Sequence, residues 1–189
     1  MPIEDKTAIE QTLAGNQQAF AALVERYQSR LLGLLWHACG DRGLAEDIAQ
    51  EAFIRAYRKL HTFAGDSQFY TWLAKIAMNQ LISYRRRRRL ESTQPRSGLD
   101  AALDTTGRDD PPDSGLELSE TQQCVRAAIA LLDEDRRTVL LLRDFDGHDY
   151  EAIARILDLP VGTVRSRLHR ARLELKSILQ SKSEQLGLE

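Results

Sequence analysis

Apolar residues recur every three or four positions along the first 89 residues of the chain. This spacing places them on one face of a helix, whereas strands would show an alternation that is absent here. The pattern predicts helices over residues 4–14, 17–39, 44–60 and 69–89. Residues 15–16 and 40–43 contain the glycines that break it, and the stripes predicted to be buried include Val24 and Tyr57. The first part of the chain is therefore predicted to be an all-α bundle.

The pattern changes between residues 90 and 118, where proline, glycine and serine are frequent and large apolar residues are few. This composition predicts a flexible linker. Helical spacing returns from residue 119, with helices predicted over residues 119–132 and 134–145 and a closely spaced pair after them. The prediction is two small helical domains joined by the linker. The first domain covers residues 1–89, the linker residues 90–118, the second domain residues 119–183 and a short tail residues 184–189.

The last two predicted helices, within residues 149–176, meet at a tight corner. Asp149 can cap the first of them, and Pro160 can begin a helix but cannot continue one. Asp158 stands where a left-handed backbone is needed, which aspartate tolerates. The apolar stripe of the second helix consists of Val161, Val164, Leu168, Ala171 and Leu175. The opposite face carries Gly162, Thr163, Ser166, His169 and Arg170, with Arg165, Arg167 and Arg172 on its flanks.

This layout is typical of a helix-turn-helix that reads DNA. Short polar side chains and an arginine face the base edges, and flanking arginines reach the phosphates. The alternative is a surface helix with a solvated basic face. The capped corner, combined with the arginine-rich second helix, favours DNA binding.

Charge is unevenly distributed along the chain, although its net value is only −2. Residues 1–89 contain 13 Lys and Arg against 9 Asp and Glu, residues 90–118 contain 2 against 7, and residues 119–189 contain 11 against 12. The linker is therefore acidic. Because charges act over about 8–10 Å in salt, the local basic surfaces matter more for phosphate binding than the net charge does.

Several classes of function find no support in the sequence. No apolar run approaches the ~20 residues of a membrane span, and the N-terminus lacks the pattern of a signal peptide, so a cytoplasmic protein is expected. Cys39 and Cys124 lack metal-ligand spacing and are expected to be reduced, buried small residues. No metal, cofactor or catalytic site is expected, and the chain is not predicted to be an enzyme.

One helix face of the first domain is polar where folding does not require it. Asp47, Gln50, Glu51 and Ile54 lie on a face turned away from the buried stripe. This face is either an ordinary solvated surface or a docking surface for a partner helix that carries arginines.

Two neighbouring features of the first domain suit nucleic acid. The loop from Phe63 to Trp72 combines aromatic and small polar side chains, which suits the stacking of unpaired bases, although core packing also explains its aromatic residues. Tyr84 is followed by five arginines, residues 85–89. Such a run is not expected to be buried, and an anion such as phosphate would offset its repulsion; a solvated basic run is the alternative.

In these residues the chain resembles extracytoplasmic-function (ECF) sigma factors, the compact two-domain branch of the sigma-70 family that directs bacterial RNA polymerase to promoters. The resemblance covers nearly the whole chain. It rests on residues 15–20, 45–53, 63–79, 139–143, 150–154 and 161–172, in this order across the acidic linker. The chain departs from the family at residues 133–135, where Asp-Glu-Asp replaces a frequent Pro-Glu pair, and at Phe69-Tyr70, where a plainer run is common.

The resemblance implies a sigma factor that binds core RNA polymerase and directs promoter-specific initiation, reading duplex DNA at the −35 element and melted DNA at the −10 element. The implied partners are core polymerase (its beta-prime clamp helices and beta subunit), promoter DNA and an anti-sigma factor. The implied polymerase-binding residues are Asp47, Gln50, Glu51 and Ile54. The implied −10 readers are Phe63, Gly65, Asp66, Ser67, Asn79, Arg85, Arg86, Arg87 and Arg88. The implied −35 readers are Thr163, Arg165, Ser166, Arg167, His169 and Arg170.

Two other functions remain open at this point. A stand-alone helix-turn-helix regulator would explain residues 119–176 but would leave the arginine run, the aromatic loop and the Asp47 face without a role. An all-α interaction module would use its basic helices to bind an acidic protein. Such a module would bind DNA without regard to sequence or strand opening.

Overall fold

The structure of the chain, a computed structural model, describes residues 3–93 and 120–186. These residues form helices and connecting turns without any β-strand, which confirms the all-α prediction. The first domain contains α1 (Ile3–Leu13), α2 (Gln17–Cys39), α3 (Arg42–Lys59), a 3-10 turn (Leu60–Thr62) and α4 (Phe69–Thr93). The second contains α5 (Glu120–Ala130), α6 (Glu134–Leu140), a π-helical turn (Leu141–Phe145), α7 (Tyr150–Leu157) and α8 (Val161–Leu186). None of these helices has the length and apolar character that crossing a bilayer requires.

Capping residues set the helix boundaries of the first domain. α2 begins after Asn16, whose side chain accepts a hydrogen bond from the Gln18 amide at 3.1 Å. It ends at Gly40, which has a left-handed backbone with φ of 74°. α3 begins two residues earlier than predicted because the Asp41 carboxylate accepts a hydrogen bond from the Leu44 amide at 3.0 Å. This cap outweighs the low helix propensity of the glycine in the first turn.

Two helices continue past their predicted ends. α4 reaches Thr93, so residues 90–93 are helical and do not begin the linker, and α8 reaches Leu186 through the start of the predicted tail. Both extensions contain residues of good helix propensity, which continue a helix that tertiary packing has already nucleated. Residues 94–118 of the predicted linker lie outside the described residues, as do residues 187–189 of the tail.

The core of the first domain lies between α2, α3 and α4. Leu23, Leu31 and Leu35 of α2 and Phe69 and Leu73 of α4 belong to one buried cluster, and each is at most 1% exposed. Burying a large apolar side chain contributes about 1.5–3 kcal/mol. This cluster therefore holds the loop and the arginine-bearing helix in place.

A buried carboxylate fastens α1 to α2. Asp5 is fully buried and accepts hydrogen bonds from the Arg26 guanidinium and, at 2.6 Å, from the Tyr27 hydroxyl. Burial and the hydrogen bond to Asp5 raise the pKa of Tyr27 to about 12. A carboxylate in such a place needs partners of this kind, because an unpaired buried charge is costly. The pairing explains how a short first helix stays attached to the bundle.

The second domain packs α6 and α7 against α8, and it also contacts the first domain. α7 lies against α4, and the π-helical turn lies against α2. The helix predicted over residues 134–145 changes to π-helical geometry at Leu141, and the Asp146 amide donates a hydrogen bond to the Leu141 carbonyl at 2.9 Å. The two domains of this chain are therefore packed together.

The two cysteines are free, as predicted, but they are half-buried rather than fully buried. Burial raises the pKa of the Cys39 thiol. Within residues 3–93 and 120–186, no three His, Cys, Asp or Glu side chains come together as a metal site would require.

Candidate nucleic-acid interface

The corner between α7 and α8 is built by two aspartates and a proline. The Asp149 carboxylate accepts a hydrogen bond from the Ala152 amide at 2.6 Å, which confirms the predicted cap. Asp158 ends α7 with a left-handed backbone (φ 55°), as predicted. α8 begins at Val161, directly after Pro160. The cap, the left-handed residue and the proline therefore set the angle between α7 and α8.

One face of α8 is buried and the opposite face is exposed. Val164, Leu168 and Ala171 are at most 2% exposed, and Val161 and Leu175, at the ends of the stripe, are half-buried. The exposed residues among the predicted DNA readers and their flanks are Gly162, Arg165, Ser166, His169, Arg170 and Arg172, while Thr163 and Arg167 are half-buried. The structure thus presents the predicted −35 readers together on one accessible helix surface.

Two flanking arginines of α8 are held by carboxylates of the same domain. Arg167 Nη2 lies 2.8 Å from Asp135 Oδ2. Arg172 makes a two-pronged contact with Asp144, through Nε at 3.1 Å and Nη2 at 2.5 Å. Such pairs orient the planar guanidinium groups and reduce the local positive charge. No local sequence pattern indicates these pairs, because the partners lie far apart in the chain.

The predicted base-reading loop rests on an aromatic cluster. The Phe63 ring lies 6.0 Å from that of Phe69 and 5.3 Å from that of Trp72, measured between centroids. Gly65, with φ of 79°, and Asp66 are exposed at the tip of the loop. The aromatic residues therefore have the packing role that the sequence left open. Ser67, at the end of the loop, is half-buried, and Asn79, on α4, is exposed.

The five consecutive arginines of α4 do not share one environment. Residues 86–89 are exposed. The Arg85 side chain is only 19% exposed, with Nη1 2.6 Å from the Glu134 carboxylate of the second domain and Nη2 donating a hydrogen bond to the Ala38 carbonyl at 2.7 Å. The prediction that the run stays unburied is therefore wrong for Arg85, because the second domain supplies a compensating charge.

The polar face of α3 is accessible, as the spacing predicts. Asp47 and Gln50 are exposed, and Ile54 is 39% exposed. Glu51 is half-buried and pairs with Arg55 at 2.6 Å. The four predicted polymerase-binding residues therefore lie along one side of α3.

An apolar groove of about 900 Å³ runs between α2 and α3 beside this face. Val24 and Tyr57, which the helical spacing assigns to the buried stripes, line the groove together with Phe53, Gln50 and Ile54. Tyr57 is 39% exposed, so the prediction that it is buried is wrong. The apolar stripes of α2 and α3 together carry more apolar surface than the contact between these two helices covers. That surplus is the signal from which the groove could have been predicted.

Two family models match the chain. The model described as Sigma-70 region 2 matches residues 23–91, and the model described as Sigma-70, region 4 matches residues 122–175. The first match includes the Asp47 face, most of the groove, the loop and the arginine run. The second includes the corner and the exposed face of α8.

Relatives of known type match the chain over nearly its full length. The RNA polymerase sigma-H factor of Pseudomonas aeruginosa is 40% identical over 186 residues, covering 94% of this chain and 94% of the relative. The ECF RNA polymerase sigma-E factor of Haemophilus influenzae is 39% identical over 183 residues, covering 94% of this chain and 96% of the relative. The ECF RNA polymerase sigma-E factor of Escherichia coli K12 is 40% identical over 194 residues, covering 94% of this chain and 95% of the relative.

Solved structures agree with these relatives. CnrH, in complex with the cytosolic domain of CnrY, matches with a TM-score of 0.68 at 26% identity, over 94% of this chain and 98% of that chain. The sigma factor RpoE of Bartonella quintana, in complex with the anti-sigma factor NepR, shares the fold with a TM-score of 0.67 at 24% identity. The match covers 85% of this chain and 96% of that chain. Matches to both sigma-70 regions and about 40% identity over nearly the whole length lead to one conclusion: the chain belongs to the extracytoplasmic-function branch of the sigma-70 family of RNA polymerase sigma factors.

Proposed function

We propose that this sigma factor reads promoters with two separate DNA-binding surfaces and docks on core RNA polymerase with a third. The outer face of α8 reads the −35 element as duplex. The loop at residues 63–67 and the part of α4 from Asn79 to the arginine run bind the melted −10 element. The Asp47 face and the neighbouring groove bind core polymerase. The −35 surface lies on the second domain of the chain and the −10 surface on the first.

The exposed face of α8 is the observation that carries this proposal. Ser166, His169 and Arg170 are exposed opposite a stripe that is almost fully buried, so the helix has a single free face. Small polar residues let such a helix approach the major groove closely, and an arginine can contact guanine through two hydrogen bonds. Arg165, which is exposed on the flank, would reach a phosphate, whereas Arg167 and Arg172 are paired with Asp135 and Asp144.

The −10 assignment is supported by the position of the loop beside α4. Gly65 and Asp66 are exposed over the aromatic cluster that contains Phe63. Unstacking a base costs a few kcal/mol, and a site that holds the extruded base offsets part of that cost. The exposed arginines of α4 would bind the phosphates of the same strand.

The polymerase assignment is supported by the shape and charge of the α2–α3 surface. An apolar groove with acidic and amide side chains along one edge suits an amphipathic helix that carries arginines. Gln50 and Ile54 line the groove, and Asp47 is exposed on the same side of α3. We assign this surface to the beta-prime clamp helices of core polymerase.

The remaining parts of the proposal concern partners, compartment and chemistry. The two solved structures named above are complexes, one with the anti-sigma factor NepR and one with the cytosolic domain of CnrY, and an anti-sigma factor is proposed as a partner here as well. The chain would act in the cytoplasm, where RNA polymerase transcribes. It would perform no catalytic step, because nucleotide addition belongs to the polymerase.

The first experiment is co-elution of the purified chain with sigma-free core RNA polymerase on a sizing column, followed by in vitro transcription from a library of promoter fragments. A stable complex that starts transcription from particular promoters is expected. Tight, sequence-specific duplex binding by the chain alone, without any association with core polymerase, would instead support a stand-alone regulator.

A charge reversal tests the polymerase-binding surface. Asp47→Arg is expected to lower the affinity for core polymerase by at least about tenfold, because it places like charges across the interface, which costs on the order of a few kcal/mol. Glu10→Arg, at an exposed position on α1, makes the same change of charge away from the surface and is the control. Circular dichroism checks that both variants stay helical. Equal affinities would remove the Asp47 face from the interface.

A further inference from the structure

The buried stripe of α8 has an arginine on each of its flanks. Arg167 directly precedes Leu168 of the stripe, and Arg172 directly follows Ala171. At about 100° per residue, the two arginines therefore lie on opposite sides of the helix. Each of them meets a carboxylate that another element of the second domain supplies. The fold, and not the spacing along α8, brings each pair together.

The start of α6 supplies the carboxylate on one flank. Asp135 Oδ2 lies 2.8 Å from Arg167 Nη2. The neighbouring Arg136 pairs with Glu174, which lies about two turns beyond Arg167 on α8. Asp133 caps α6 by accepting a hydrogen bond from the Asp135 amide at 3.1 Å. A helix cap and a second ion pair therefore hold the backbone of Asp135 beside α8.

The π-helical turn supplies the carboxylate on the other flank. Asp144 accepts hydrogen bonds from Arg172 Nε at 3.1 Å and from Arg172 Nη2 at 2.5 Å. Two parallel hydrogen bonds of this kind fix the plane of the guanidinium and are among the stronger polar contacts in proteins. The Asp144 side chain is 32% exposed, so water screens the pair only in part.

The other two arginines of α8 have no such partner. Within residues 3–93 and 120–186, no carboxylate oxygen lies within 4 Å of Arg165 or Arg170, and both residues are exposed. The Arg165 guanidinium lies 5.6 Å from the centroid of the Tyr150 ring, a contact that leaves its N–H groups available. α8 therefore carries two unpaired arginines and two whose charge a carboxylate offsets.

The difference matters because duplex DNA attracts cations largely without regard to its sequence. Each contact between an arginine and a phosphate releases counterions and strengthens binding to every duplex. Non-specific sites greatly outnumber specific ones in a genome, so this shared contribution decides how much protein is captured by DNA of any sequence. An arginine that a carboxylate already holds must give up that contact before it can bind a phosphate in the same way.

We propose that Asp135 and Asp144 limit the affinity of the second domain for duplex DNA by holding Arg167 and Arg172 away from phosphates. The domain then binds any duplex with two fewer phosphate contacts than the four arginines of α8 would allow. The inference rests on the proposed function, which assigns the outer face of α8 to duplex DNA. It goes beyond that function because it gives two acidic residues a role in DNA binding.

The test measures binding of the full chain to a fluorescein-labelled duplex of mixed sequence, about 30 base pairs long, by anisotropy between about 20 and 200 mM salt. Asp135→Asn is expected to free Arg167. One added phosphate contact on a duplex steepens the plot of log affinity against log salt by about 0.9 and raises affinity at about 50 mM salt by up to about 15-fold. Asp144→Asn is expected to do the same through Arg172, and it is the independent route should Asp135→Asn fold poorly.

Matched controls make the result specific. Asp133→Asn removes the same charge two residues away and keeps a side chain that caps α6, so it is expected to leave the salt slope unchanged. The double variant Asp135→Asn with Arg167→Ala is expected to lose the whole gain, because the freed cation is absent. Duplexes that differ in the −35 element are expected to gain equally, since a phosphate contact carries no sequence information.

Equal affinities and slopes for the unchanged chain, Asp135→Asn and Asp144→Asn, including no measurable binding by any of them, would overturn the proposal. Weaker binding by the two variants would overturn it as well, because the carboxylates would then be holding the arginines in position for phosphates. A gain that persists in the double variant would have the same consequence, since Arg167 would not be its source.

Arg165→Ala, measured on the same duplex, tests the proposed function separately. It is expected to lower the salt slope by about 0.9, because one exposed phosphate contact is lost. An unchanged slope would count against the assignment of the outer face of α8 to duplex DNA. A lowered slope for Arg165→Ala, without any gain for Asp135→Asn or Asp144→Asn, would refute the role of the two carboxylates alone.

Discussion

The two arginine-rich helices of this sigma factor hold their charges in different ways. In α8, Arg167 and Arg172 pair with carboxylates of their own domain, and Arg170 remains exposed on the outer face. In α4, Arg85 pairs with Glu134 of the other domain. The arrangement in α8 would persist if the domains separated, whereas the pairing of Arg85 would be lost.

This difference fits the two kinds of DNA that the helices are proposed to bind. Base edges in the major groove of a duplex are accessible at any time, so a rigid face completed within one domain is enough to read them. Unpaired bases become accessible only after strands open, and opening has a cost of its own.

The largest effect is expected from removing a buried side chain beneath the outer face of α8, which is proposed to read duplex DNA. Leu168 lies on the buried face of α8 and is 2% exposed. Leu168→Ala is therefore expected to lower the free energy of unfolding by about 2–5 kcal/mol, through lost burial and the cavity left behind. Urea denaturation of the full chain measures this cost. Leu173→Ala on the same helix is the control: Leu173 is 56% exposed, and its loss is expected to change stability by under about 0.5 kcal/mol. Similar losses for both variants would contradict the two-faced description of α8.

The next effect concerns the reading of bases by α8. Arg170→Ala is expected to reduce discrimination between promoters that differ in the −35 element by about 1–3 kcal/mol, if a bidentate base contact is lost. Competition transcription with polymerase reconstituted from each variant measures it. Arg170→Lys keeps the charge but not the two-pronged geometry, so it is expected to lose most of the discrimination as well. Full discrimination by Arg170→Ala would exclude Arg170 from base reading.

A smaller effect separates two neighbouring arginines of α4. Arg86→Ala is expected to lower the salt slope of single-strand binding by about 0.7, since one exposed phosphate contact is removed. Arg85→Ala is expected to change the slope much less, because Arg85 is already occupied by Glu134. Fluorescence anisotropy with a labelled single-stranded DNA, titrated at several salt concentrations, measures both slopes. Equal decreases would mean that Arg85 is as available to DNA as its neighbour.

The smallest effect is expected at the corner of the helix-turn-helix. Asp158 has φ of 55°, so Asp158→Gly relieves the left-handed backbone but increases the freedom of the unfolded chain. These terms oppose each other, and the free energy of unfolding is expected to change by no more than about 1 kcal/mol, with −35 selectivity unaltered. Thermal unfolding and the competition transcription assay check the two parts. A large loss of selectivity would show that Asp158 does more than form the corner.

Several elements were predictable because their causes are local. α2 spans Gln17–Cys39, as its apolar spacing and the flanking Asn16 and Gly40 predict. The cap at Asp149 and the left-handed Asp158 were likewise readable from residue type and position. Helix ends were less predictable: α3 begins at Arg42 because one aspartate caps it.

Other features required the packed chain. The groove between α2 and α3 exists because the contact between the helices does not cover Tyr57, which spacing alone assigns to the core. The partners of Arg167 and Arg172 come from elements that the fold brings beside α8. No local pattern distinguishes Arg85 from the four arginines that follow it.

The sequence alone was enough to identify the helices, the corner between α7 and α8 and the family to which the chain belongs, because periodicity, capping and turn chemistry act between residues a few positions apart. Only the tertiary structure decided which arginines are free to meet DNA. Arg85 and Glu134, or Arg30 and Asp146, become neighbours only when two domains that are distant in the chain pack against each other. Whether a charge faces solvent or a buried partner is a property of that packing, since the strength of an ionic contact depends on both the distance between the charges and their exposure to water.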